Sequence, residues 1–481
     1  MKGDAEVGMR DYKLLINGGW EESATIKEIR SPYDRQVAGR VCWASKDQVE
    51  RAIAAADRAF LETRKMASYE RSLILSRISQ GIKARKDILA ESIARQAGKP
   101  IRDSRLEVDR AALTFEIASE EAKRRAGEII PLDLTPQTKQ RWGITRRFPL
   151  GPVTAITPFN FPLNLVAHKV APALAVGNTI LLRPSSQVPI TSILLGEIIQ
   201  DAGAPAGVVN VIPSGYRDAE PLLTDDRIKK VTFTGSADIG WELKKKANTK
   251  KVTLELGGNA AVVIEPDADL GFTLARCVTG SFSYAGQICI AIQRIFIQEK
   301  IYDRFLAEFA ERTNKLKLGD PLLEDTDVGP MIDEESARKI EDWTNEALDH
   351  GAHLVCGGQR NGTMFEPTIL TDVRPDLRIS RLEAFAPIVC VYRYTDFEGA
   401  LTAVNHSIYG LQAGVFTKDL SKAFQAYEAL EVGGVIINDI PTFRIDHMPY
   451  GGVKQSGFGR EGVRYAMEEM TELKLMALNL S

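Results

Sequence analysis

The sequence is poor in the residues that mark several common protein classes. Its 481 residues contain only five cysteines and five histidines, and no two cysteines form a CxxC pair. The cysteines lie far apart, at Cys42, Cys277, Cys289, Cys356 and Cys390. An odd and scattered set argues against a disulfide framework or a zinc site, so we expect no metal. It favours a reducing, cytoplasmic compartment.

The chain also lacks a strong net charge and a long apolar run. Its formal net charge is −3, which argues against the broad basic surface of a nucleic-acid-binding protein. The longest uncharged stretch, residues 148–167, contains four prolines and does not resemble a membrane span. Residues 1–7 have no apolar core of a signal peptide. We therefore expect neither a nucleic-acid nor a membrane partner.

The sequence does contain a mainly helical segment from Ser45 to about Gly98. Apolar residues recur there at helical spacing and predict one buried face: Leu75, Ile78, Ile82, Leu89 and Ile93. Residues 98–100 (GKP) should end this segment, because proline disfavours helical geometry in the residue before it. A further helix that carries Leu106, Leu113 and Ile117 is predicted to follow.

From residue 153 onward, short β-branched runs alternate with stretches long enough for crossover helices. Five strands are predicted, over residues 153–156, 179–182, 208–211, 230–234 and 252–255. This alternation favours an α/β fold with a doubly wound parallel sheet, whose ligands bind beyond the carboxyl ends of the strands. A second alternating unit begins at residues 261–264 and extends to about residue 455. Residues 140–148 and 473–478 are strand-like but belong clearly to neither sheet.

Cys289 and Glu255 are the residues with the clearest chemical potential. Cys289 lies in the segment GQICIA (residues 286–291), 34 residues after Glu255 in LELGGN (residues 254–259). A thiolate can attack a carbonyl carbon, and a carboxylate can activate the water that later frees an acyl group. A lone cysteine is usually structural, and a strand-end glutamate often faces solvent, so the pairing of the two motifs is what favours catalysis.

A third segment, PFNFP (residues 158–162), places Asn160 in a turn bracketed by prolines. Its side-chain amide can donate a hydrogen bond to an oxyanion, although an asparagine beside proline more often serves the turn itself. These three segments, in this order and at these distances, resemble the signature of the aldehyde dehydrogenase superfamily. The resemblance covers nearly the whole chain.

The resemblance implies an α/β aldehyde dehydrogenase fold in three parts. A Rossmann-like cofactor domain would comprise residues 1–126 and 150–256, and an α/β catalytic domain residues 257–458. A small β oligomerisation arm would comprise residues 127–149 and 459–481, and relatives assemble through it as dimers or tetramers. The protein would be a homo-oligomer, with homotetramer as the expected state.

The resemblance also implies how the site works. Cys289 would be the nucleophile, Asn160 and the Cys289 N–H would form the oxyanion hole, and Glu255 would hydrolyse the thioester. Lys169 and Glu461 resemble a pair associated with proton movement, and an ordinary salt bridge is the alternative. Relatives that transfer the acyl group to coenzyme A typically lack the glutamate, so Glu255 favours the hydrolytic branch.

NAD or NADP is the cofactor that the resemblance implies. The residues expected to contact it are Thr157, Pro158, Phe159, Arg183, Ser185, Ser186, Gly235, Ser236, Glu383 and Phe385. Ser236 precedes a predicted helix, whose free N–H groups suit a pyrophosphate. Many relatives carry glutamate where this chain has Ser186; that glutamate repels a 2′-phosphate, which Arg183 could instead bind. NADP is therefore possible, and the choice between the two stays open.

The substrate is expected to be a short polar aldehyde, either hydroxylated or anionic. The residues predicted to form its pocket are Phe161, Asn164, His168, Ser283, Ile288, Ile290, Arg444, His447 and Tyr450. Segments 183–186 and 444–449 are similar to archaeal-type lactaldehyde and glyceraldehyde dehydrogenases. Ile288 stands where relatives that oxidise glyceraldehyde 3-phosphate often have arginine, which counts against a phosphorylated substrate.

Other interpretations stay open at this point. The enzyme could act on semialdehydes or on a broad range of aldehydes, or it could acylate coenzyme A. A catalytically retired scaffold of the same fold is the alternative from a different class, and the joint presence of Cys289, Glu255 and Asn160 argues against it. Esterase chemistry at the same thiol would be a side activity.

Overall fold

Two large, mainly parallel sheets organise the protein, seen in a computed structural model that describes residues 10–124 and 126–480. The predicted lack of a signal peptide concerns residues 1–7, which lie outside the described residues. Among the described residues, no helix is both long and apolar enough to cross a membrane.

The first sheet has eight strands, and its five central strands run parallel. In spatial order the strands are Gly457–Phe458, Lys251–Glu255, Lys230–Thr234, Pro152–Ile156, Thr179–Arg183, Val209–Val211, Leu14–Ile16 and Gly19–Glu21. The five predicted strands are thus confirmed, each to within a residue at either end. Strand Gly457–Phe458 pairs antiparallel with Lys251–Glu255, although it lies inside the range predicted for the catalytic domain.

The second sheet has seven strands and begins shortly after the first sheet's Lys251–Glu255. In spatial order its strands are His353–Cys356, Thr368–Thr371, Ile388–Tyr394, Ile292–Gln298, Ala260–Ile264, Gln412–Phe416 and Gly434–Ile437. All neighbours are parallel except the first pair. The predicted second alternating unit is therefore confirmed.

The two strand-like segments left unassigned by the sequence pair with each other. Strand Arg141–Pro149 lies antiparallel to Thr471–Asn479 over nine residue pairs, and Ile129–Pro131 adds a third strand. We call this three-stranded sheet the arm. Its apolar residues Trp142, Leu473, Leu475 and Met476 are each at least half exposed. Smaller sheets complete the described strands: Asp11–Tyr12, Val37–Trp43 and Thr25–Arg30; Arg360–Asn361 with Met364–Phe365; Tyr409–Gly410 with Val453–Lys454.

Helices cover both large sheets. The α-helices are Lys46–Thr63, Ser68–Ala84, Lys86–Ala97, Ile101–Glu121, Asn164–Val176, Pro189–Asp201, Pro221–Thr224, Ala237–Lys246, Leu270–Phe282, Glu299–Thr313, Glu334–Asp349, Arg378–Arg381, Phe397–Asn405, Leu420–Ala429 and Val463–Glu469. Short 3₁₀ turns lie at Pro136–Thr138 and Ser283–Gly286. The predicted stripe of residues 75–93 is fully buried, and Gly98 ends its last helix in the left-handed conformation, with φ of 66°.

Helix Ile101–Glu121 does not bury the leucines that helped to predict it. Leu106 is 61% exposed and Leu113 41% exposed. The buried face of this helix instead carries smaller residues together with one aromatic: Val108, Ala111, Ala112, Phe115 and Ala118. The helix packs closely on its neighbours because alanines let the backbones approach, and its leucines remain available for other contacts.

Candidate active site

Buried polar atoms without partners collect at one edge of the first sheet. Four neighbouring parallel strands end there, at Ile156, Arg183, Thr234 and Glu255. Within the described residues, no hydrogen-bond partner meets Thr157 Oγ1, Arg183 Nε, Thr234 Oγ1 or either carboxyl oxygen of Glu255. Buried polar groups are normally satisfied, so this cluster marks a place built for a polar ligand or for chemistry.

Gly235 and Ser236 form the start of a helix at this edge. Ser236 occupies the N-cap of Ala237–Lys246 and is exposed, and its side chain makes no capping hydrogen bond. A Cβ on Gly235 would lie 2.5 Å from the Phe233 ring, so glycine keeps the turn close to the sheet. Free backbone N–H groups at such a terminus attract anions, which fits a pyrophosphate.

A shallow cavity opens beside this helix. It is lined by Ile156, Arg183, Tyr216, Phe233, Ile239, Leu243 and Lys246, among other residues. Lys246 Nζ donates to Tyr216 Oη at 3.0 Å, and Arg183 Nη2 donates to the Ser214 carbonyl at 3.1 Å. Glu220 also lines the cavity, 3.7 Å from Lys246 Nζ, and the apolar walls with the cations Arg183 and Lys246 suit a nucleoside that carries phosphate. Tyr216 and Lys246 were not predicted, since neither lies in a recognisable motif.

Ser185 and Ser186 lie on the loop that follows Arg183. Ser186 is exposed, and the Ser185 hydroxyl accepts a long contact from the Gln187 N–H at 3.4 Å. Neither hydroxyl is held firmly by the protein, and a cationic guanidinium lies two residues away. The loop therefore presents uncommitted donors at the cofactor edge.

Glu383 and Phe385 reach the same edge from the second sheet's side. Glu383 Oε1 accepts the Gly258 N–H at 3.1 Å, and burial raises the pKa of Glu383 to about 7. A Cβ on Gly257 would lie 2.4 Å from Glu383 Oε2, so only glycine allows this approach. The Phe385 ring meets Phe159 edge to face, with centroids 5.7 Å apart. Pro158 and Phe159 are both half-buried.

A strained turn presents Cys289. Three consecutive residues, Tyr284, Ala285 and Gly286, have φ of 50°, 51° and 65°. A Cβ on Gly286 would lie 2.1 Å from the Ala386 carbonyl oxygen, and the Tyr284 hydroxyl donates to the Ala97 carbonyl at 3.0 Å. Left-handed conformations in non-glycine residues are rare and persist only where the surroundings hold them. The turn therefore fixes where the thiol lies.

The Cys289 thiol is half-buried, and one side chain hydrogen-bonds to it. Its Sγ lies 3.0 Å from Tyr450 Oη. Burial raises the pKa of the thiol to about 12, while the Tyr450 hydrogen bond and the charge of Arg444 act in the opposite direction. The resting group is thus a thiol, and its conversion to thiolate depends on the groups around it.

Asn160 lies against the same turn. Its Nδ2 donates to the Gln287 carbonyl at 3.0 Å, and its Oδ1 has no partner among the described residues. One hydrogen of the amide is thus engaged and orients the group, while the second remains free. Gln287 itself is anchored to the chain at Tyr284, Pro330 and Ile332.

Lys169 and Glu461 form a buried ion pair next to Glu255. Lys169 Nζ contacts Glu461 Oε1 at 2.7 Å and Thr232 Oγ1 at 3.1 Å. Arg444 Nη2 lies 3.4 Å from the other Glu461 oxygen. Burial and the nearby negative charge of Glu461 raise the pKa of Glu255 well above its ordinary value.

A cavity of about 210 Å³ opens in front of Cys289. Seven of the nine predicted pocket residues line it: Phe161, Asn164, Ser283, Ile288, Ile290, Arg444 and Tyr450. His168 does not, because it is buried behind the wall, where its Nε2 contacts Asp446 Oδ1 at 2.8 Å. His447 is exposed and lies outside this lining as well. The walls close to the thiol are largely apolar, with charges concentrated at a few points.

Helix Ile101–Glu121 supplies a pocket wall that the sequence did not reveal. Its contributions are Asp103, Leu106, Glu107 and Arg110, and Lys99 precedes it; Leu165, Tyr284 and Thr442 complete the lining. The four helix positions share one face, at spacings of three, four and seven residues. In the sequence, this stripe of mixed charged and apolar residues is the only pattern that could have indicated a pocket wall. It was missed because nothing in the sequence links it to a cysteine 180 or so residues away.

Most of the charges on this wall are paired. Arg110 contacts Asp446 through two nitrogens, at 2.7 and 3.2 Å, and Asn164 Nδ2 donates to the same carboxylate at 3.0 Å. Lys99 is paired with Glu107 and lies 3.6 Å from the Phe161 ring centroid. Glu107 also accepts the N–H groups at the start of helix Asn164–Val176. The residues described include no group of three or more side chains suited to a metal.

The protein is similar to known proteins over nearly its whole length. The sequence pattern of the aldehyde dehydrogenase family matches residues 20–476. A 3-sulfolactaldehyde dehydrogenase of Priestia aryabhattai is 43% identical over 473 residues, covering 98% of this chain and 99% of that protein.

Solved structures give the same result. Aldehyde dehydrogenase 21 of Physcomitrella patens, in complex with the reaction product succinate, superposes with a TM-score of 0.97 at 42% identity, covering 98% and 99% of the two chains. Glyceraldehyde-3-phosphate dehydrogenase GapN of Methanocaldococcus jannaschii, complexed with NADP, superposes with a TM-score of 0.90 at 40% identity. The match covers 94% of this chain and 98% of that chain.

Proposed function

This chain belongs to the aldehyde dehydrogenase family, and we propose that it oxidises a short anionic aldehyde to its carboxylic acid. NAD or NADP serves as the electron acceptor. The observation that carries the substrate proposal is the position of Arg444, which lines the cavity in front of Cys289.

The local charge balance supports an anionic substrate. Lys169 and Arg444 share the single carboxylate of Glu461, and burial raises the pKa of the neighbouring Glu255 well above its ordinary value. Arg444 thus shares its carboxylate with a second cation and can also pair with a substrate anion, while Asp103 is a further carboxyl in the pocket lining. Arg110, which also lines the pocket, is matched by Asp446 and adds directional N–H donors rather than net charge.

Some of the relatives agree with this charge argument, whereas the lactaldehyde dehydrogenases among them name an uncharged substrate. The names of two relatives state 3-sulfolactaldehyde as substrate and succinate as product, and both compounds carry an anionic group. The GapN structure names a phosphorylated compound, yet Ile288 precedes the cysteine here and adds no charge for a phosphate. We therefore favour a carboxylate or sulfonate over a phosphate as the distal group.

The described residues support a complete reaction. The Cys289 thiol first releases its proton to solvent; the thiolate then attacks the aldehyde carbon, the C–S bond forms, and the carbonyl electron pair moves to oxygen. The free hydrogen of the Asn160 amide and the Cys289 N–H stabilise that oxyanion, and one such donor contributes about 10²–10³ in rate. NAD or NADP, held by the residues at the edge of the first sheet, would supply the acceptor for the hydride that leaves the carbon.

The collapse of the adduct leaves a thioester on Cys289. Glu255, once it has released its own proton to solvent, takes a proton from water, the resulting hydroxide attacks the thioester, and the acid departs with release of the thiolate. Both oxygens of Glu255 lack a protein partner, so either can accept this proton. This uncommitted base supports hydrolysis over transfer to coenzyme A, and also argues against a retired scaffold.

The residues at the first sheet's edge fit the cofactor. Gly235 and Ser236 would hold the pyrophosphate, Glu383 the nicotinamide ribose, and Thr157, Pro158, Phe159 and Phe385 would surround the nicotinamide half. Arg183, Ser185 and Ser186 would face the adenosine ribose, where the unpartnered Arg183 Nε suits a 2′-phosphate. We propose that NADP is accepted as well as NAD.

The assembly and location are proposals of the same kind. We propose the three-part organisation predicted from the sequence, with the arm as the surface through which a homo-oligomer, dimer or tetramer, forms. The exposed Trp142, Leu473, Leu475 and Met476 support an arm that is covered in the assembly. The five free cysteines support a cytoplasmic location.

The substrate proposal is tested with a pair of aldehydes matched in length. Initial rates of nicotinamide reduction are measured with succinic semialdehyde and with pentanal, for the wild type, Arg444→Gln and Arg444→Lys. Loss of a charge-assisted hydrogen bond predicts a drop in kcat/KM of roughly 10- to 100-fold for the semialdehyde. The drop for pentanal should be much smaller, and lysine should recover part of the loss.

The ratio of the two aldehydes separates recognition from folding, because a damaged protein loses both activities equally. An equal loss for both, or a wild type that prefers pentanal, would overturn the anionic substrate while leaving the chemistry intact. Cys289→Ala serves as the chemical control and should turn over neither aldehyde. Running each substrate with NAD and with NADP compares the cofactors directly.

A further inference from the structure

The contact between Tyr450 and Cys289 suggests a function beyond lining the pocket. Their Oη and Sγ atoms lie 3.0 Å apart. Burial raises the pKa of Tyr450 well above its ordinary value, so the phenol keeps its proton and can act as a donor. A phenylalanine in this place would fill nearly the same space. The phenol oxygen therefore contributes a hydrogen bond and very little to packing.

The surroundings hold the phenol firmly in place. Tyr450 and Glu461 exchange both backbone hydrogen bonds, at 3.0 and 2.7 Å. The ring packs against Ile290 and Leu411 and is only 3% exposed. A donor placed so rigidly loses little entropy when it forms its hydrogen bond.

Arg444 makes this phenol a stronger donor. Its guanidinium carbon lies 3.6 Å from the Tyr450 ring centroid, within cation–π range. A cation above the ring draws electron density away from the phenol oxygen and polarises the O–H bond. The guanidinium of Arg444 thus lies against the Tyr450 ring, and the hydroxyl of that ring contacts the Cys289 sulfur.

We propose that the Tyr450 hydroxyl donates a hydrogen bond to the Cys289 thiolate and so stabilises the nucleophile before the aldehyde arrives. The inference rests on the proposed role of Cys289. The bond is strongest while sulfur carries a full negative charge, because hydrogen bonds to ions are stronger than those to neutral acceptors. Once the C–S bond has formed, sulfur is neutral and accepts only weakly, so the phenol favours the thiolate over later states.

The test is the pH dependence of alkylation at Cys289. Iodoacetamide is used because it is uncharged, whereas iodoacetate would be attracted to Arg444. Modification of the Cys289 peptide is followed by mass spectrometry after brief exposures from pH 6 upward, in wild type and Tyr450→Phe. The profile of the variant should be displaced by about one pH unit to higher pH, which is roughly tenfold in rate on its rising limb.

A matched control is Tyr302→Phe. Tyr302 is also buried beneath a guanidinium, with Arg393 at 4.2 Å from its ring centroid, but it lies outside the pocket lining. Its profile should overlay that of the wild type. A Tyr450→Phe rate equal to that of the wild type along the rising limb would overturn the proposal.

Two further outcomes are separable. If fully alkylated wild-type protein still oxidises aldehydes, the nucleophile assignment itself fails, whatever the profile of Tyr450→Phe shows. If Tyr450→Phe does not fold, wild-type protein labelled with 3-fluorotyrosine gives an independent readout. A more acidic phenol donates more strongly, so the labelled profile should move to lower pH, and an unmoved profile would count against the bond.

Discussion

Glu255 and Glu461 are two neighbouring carboxyl groups, each 2% exposed, whose surroundings differ sharply. Glu461 contacts Lys169 at 2.7 Å and Arg444 at 3.4 Å. Glu255 has no hydrogen-bond partner at either oxygen within the described residues. Burial would raise the pKa of both groups; for Glu461 the charges of Lys169 and Arg444 outweigh it, and the pKa is lowered.

The difference shows that depth of burial does not by itself decide what a carboxyl group does. A buried charge is stable only when it is paired, and a carboxyl without a partner stays protonated instead. Glu461 is therefore a fixed part of the structure, held ionised by two cations. Glu255 can gain or lose a proton without breaking an existing bond, which is what a general base requires.

The largest effect is expected from Glu255→Gln. Removal of the base should lower the steady-state kcat by roughly 10²–10⁴-fold, because thioester hydrolysis becomes limiting. Acylation should survive, so rapid mixing should show a burst of nicotinamide reduction that approaches one equivalent per site. The absence of a burst, with acylation slowed as well, would contradict the separate role of Glu255.

The same variant also tests the protonation of Glu255. Because its folded pKa lies above the unfolded value, the carboxyl loses stabilising free energy as pH rises through the folded pKa. The wild type should therefore lose stability relative to Glu255→Gln as pH increases, in urea melts at matched pH. If the unfolding free energies of both proteins change with pH in parallel, the pKa of Glu255 is not raised in the folded protein.

The next effect is on stability, from Glu461→Gln. It leaves the buried Lys169 without its counter-ion, and breaking such a pair typically costs about 3–5 kcal/mol of unfolding free energy. The folded pKa of Glu461 is lowered, so its stabilisation is present above the ordinary carboxyl pKa and is lost as pH falls below it. Urea unfolding of the wild type and the variant at pH 7 measures the cost of breaking the pair. The same comparison at pH 4 measures how much of that stabilisation is lost at lower pH.

A double replacement is the control for that pair. In Lys169→Met with Glu461→Leu, both charges are removed and similar volume is kept, so the loss should be much smaller than for Glu461→Gln alone. Arg444 then lacks its carboxylate partner, which limits full recovery. A double variant as unstable as the single one would show that packing, rather than charge, explains the effect.

The smallest effect concerns Glu383, which has more partners than Glu255 and fewer than Glu461. It has one backbone donor, the Gly258 N–H, and burial raises its pKa to about 7. Its carboxylate form should accept the ribose hydroxyls, so the KM for the cofactor should rise up to about tenfold per pH unit below 7. Glu383→Gln should show a KM that is higher and nearly independent of pH between 5.5 and 8.5.

Much of the fold was predictable because its signals are local. Each central strand of the first sheet is a short β-branched run between longer stretches, and a parallel sheet then places all its carboxyl ends along one edge. That is why Thr157, Arg183 and Glu255 could be expected near one another from the sequence alone. The resemblance to a family supplied the relation between Glu255 and Cys289, which no local pattern contains.

The rest of the site depends on contacts between distant parts of the chain. Arg110 and Asp446 are more than 300 residues apart, and neither lies in a motif that points to the other. His168 was expected in the pocket, yet Asp446 holds it behind the wall. Leu106 helped to predict a helix, and nothing in that pattern indicated that it lines the cavity. Such placements follow from packing, which the local pattern does not encode.

The strand Gly457–Phe458 has a consequence for how the protein is made. It pairs with Leu254 and Glu255 and so covers the strand that carries the proposed base, across about 200 residues of intervening chain. At 5–20 residues per second, a ribosome takes roughly 10–40 s to synthesise that interval. During this time Leu254 and Glu255 lack their backbone partners on this side of the strand. The strand that carries the proposed base is thus completed only after nearly the whole chain has been made.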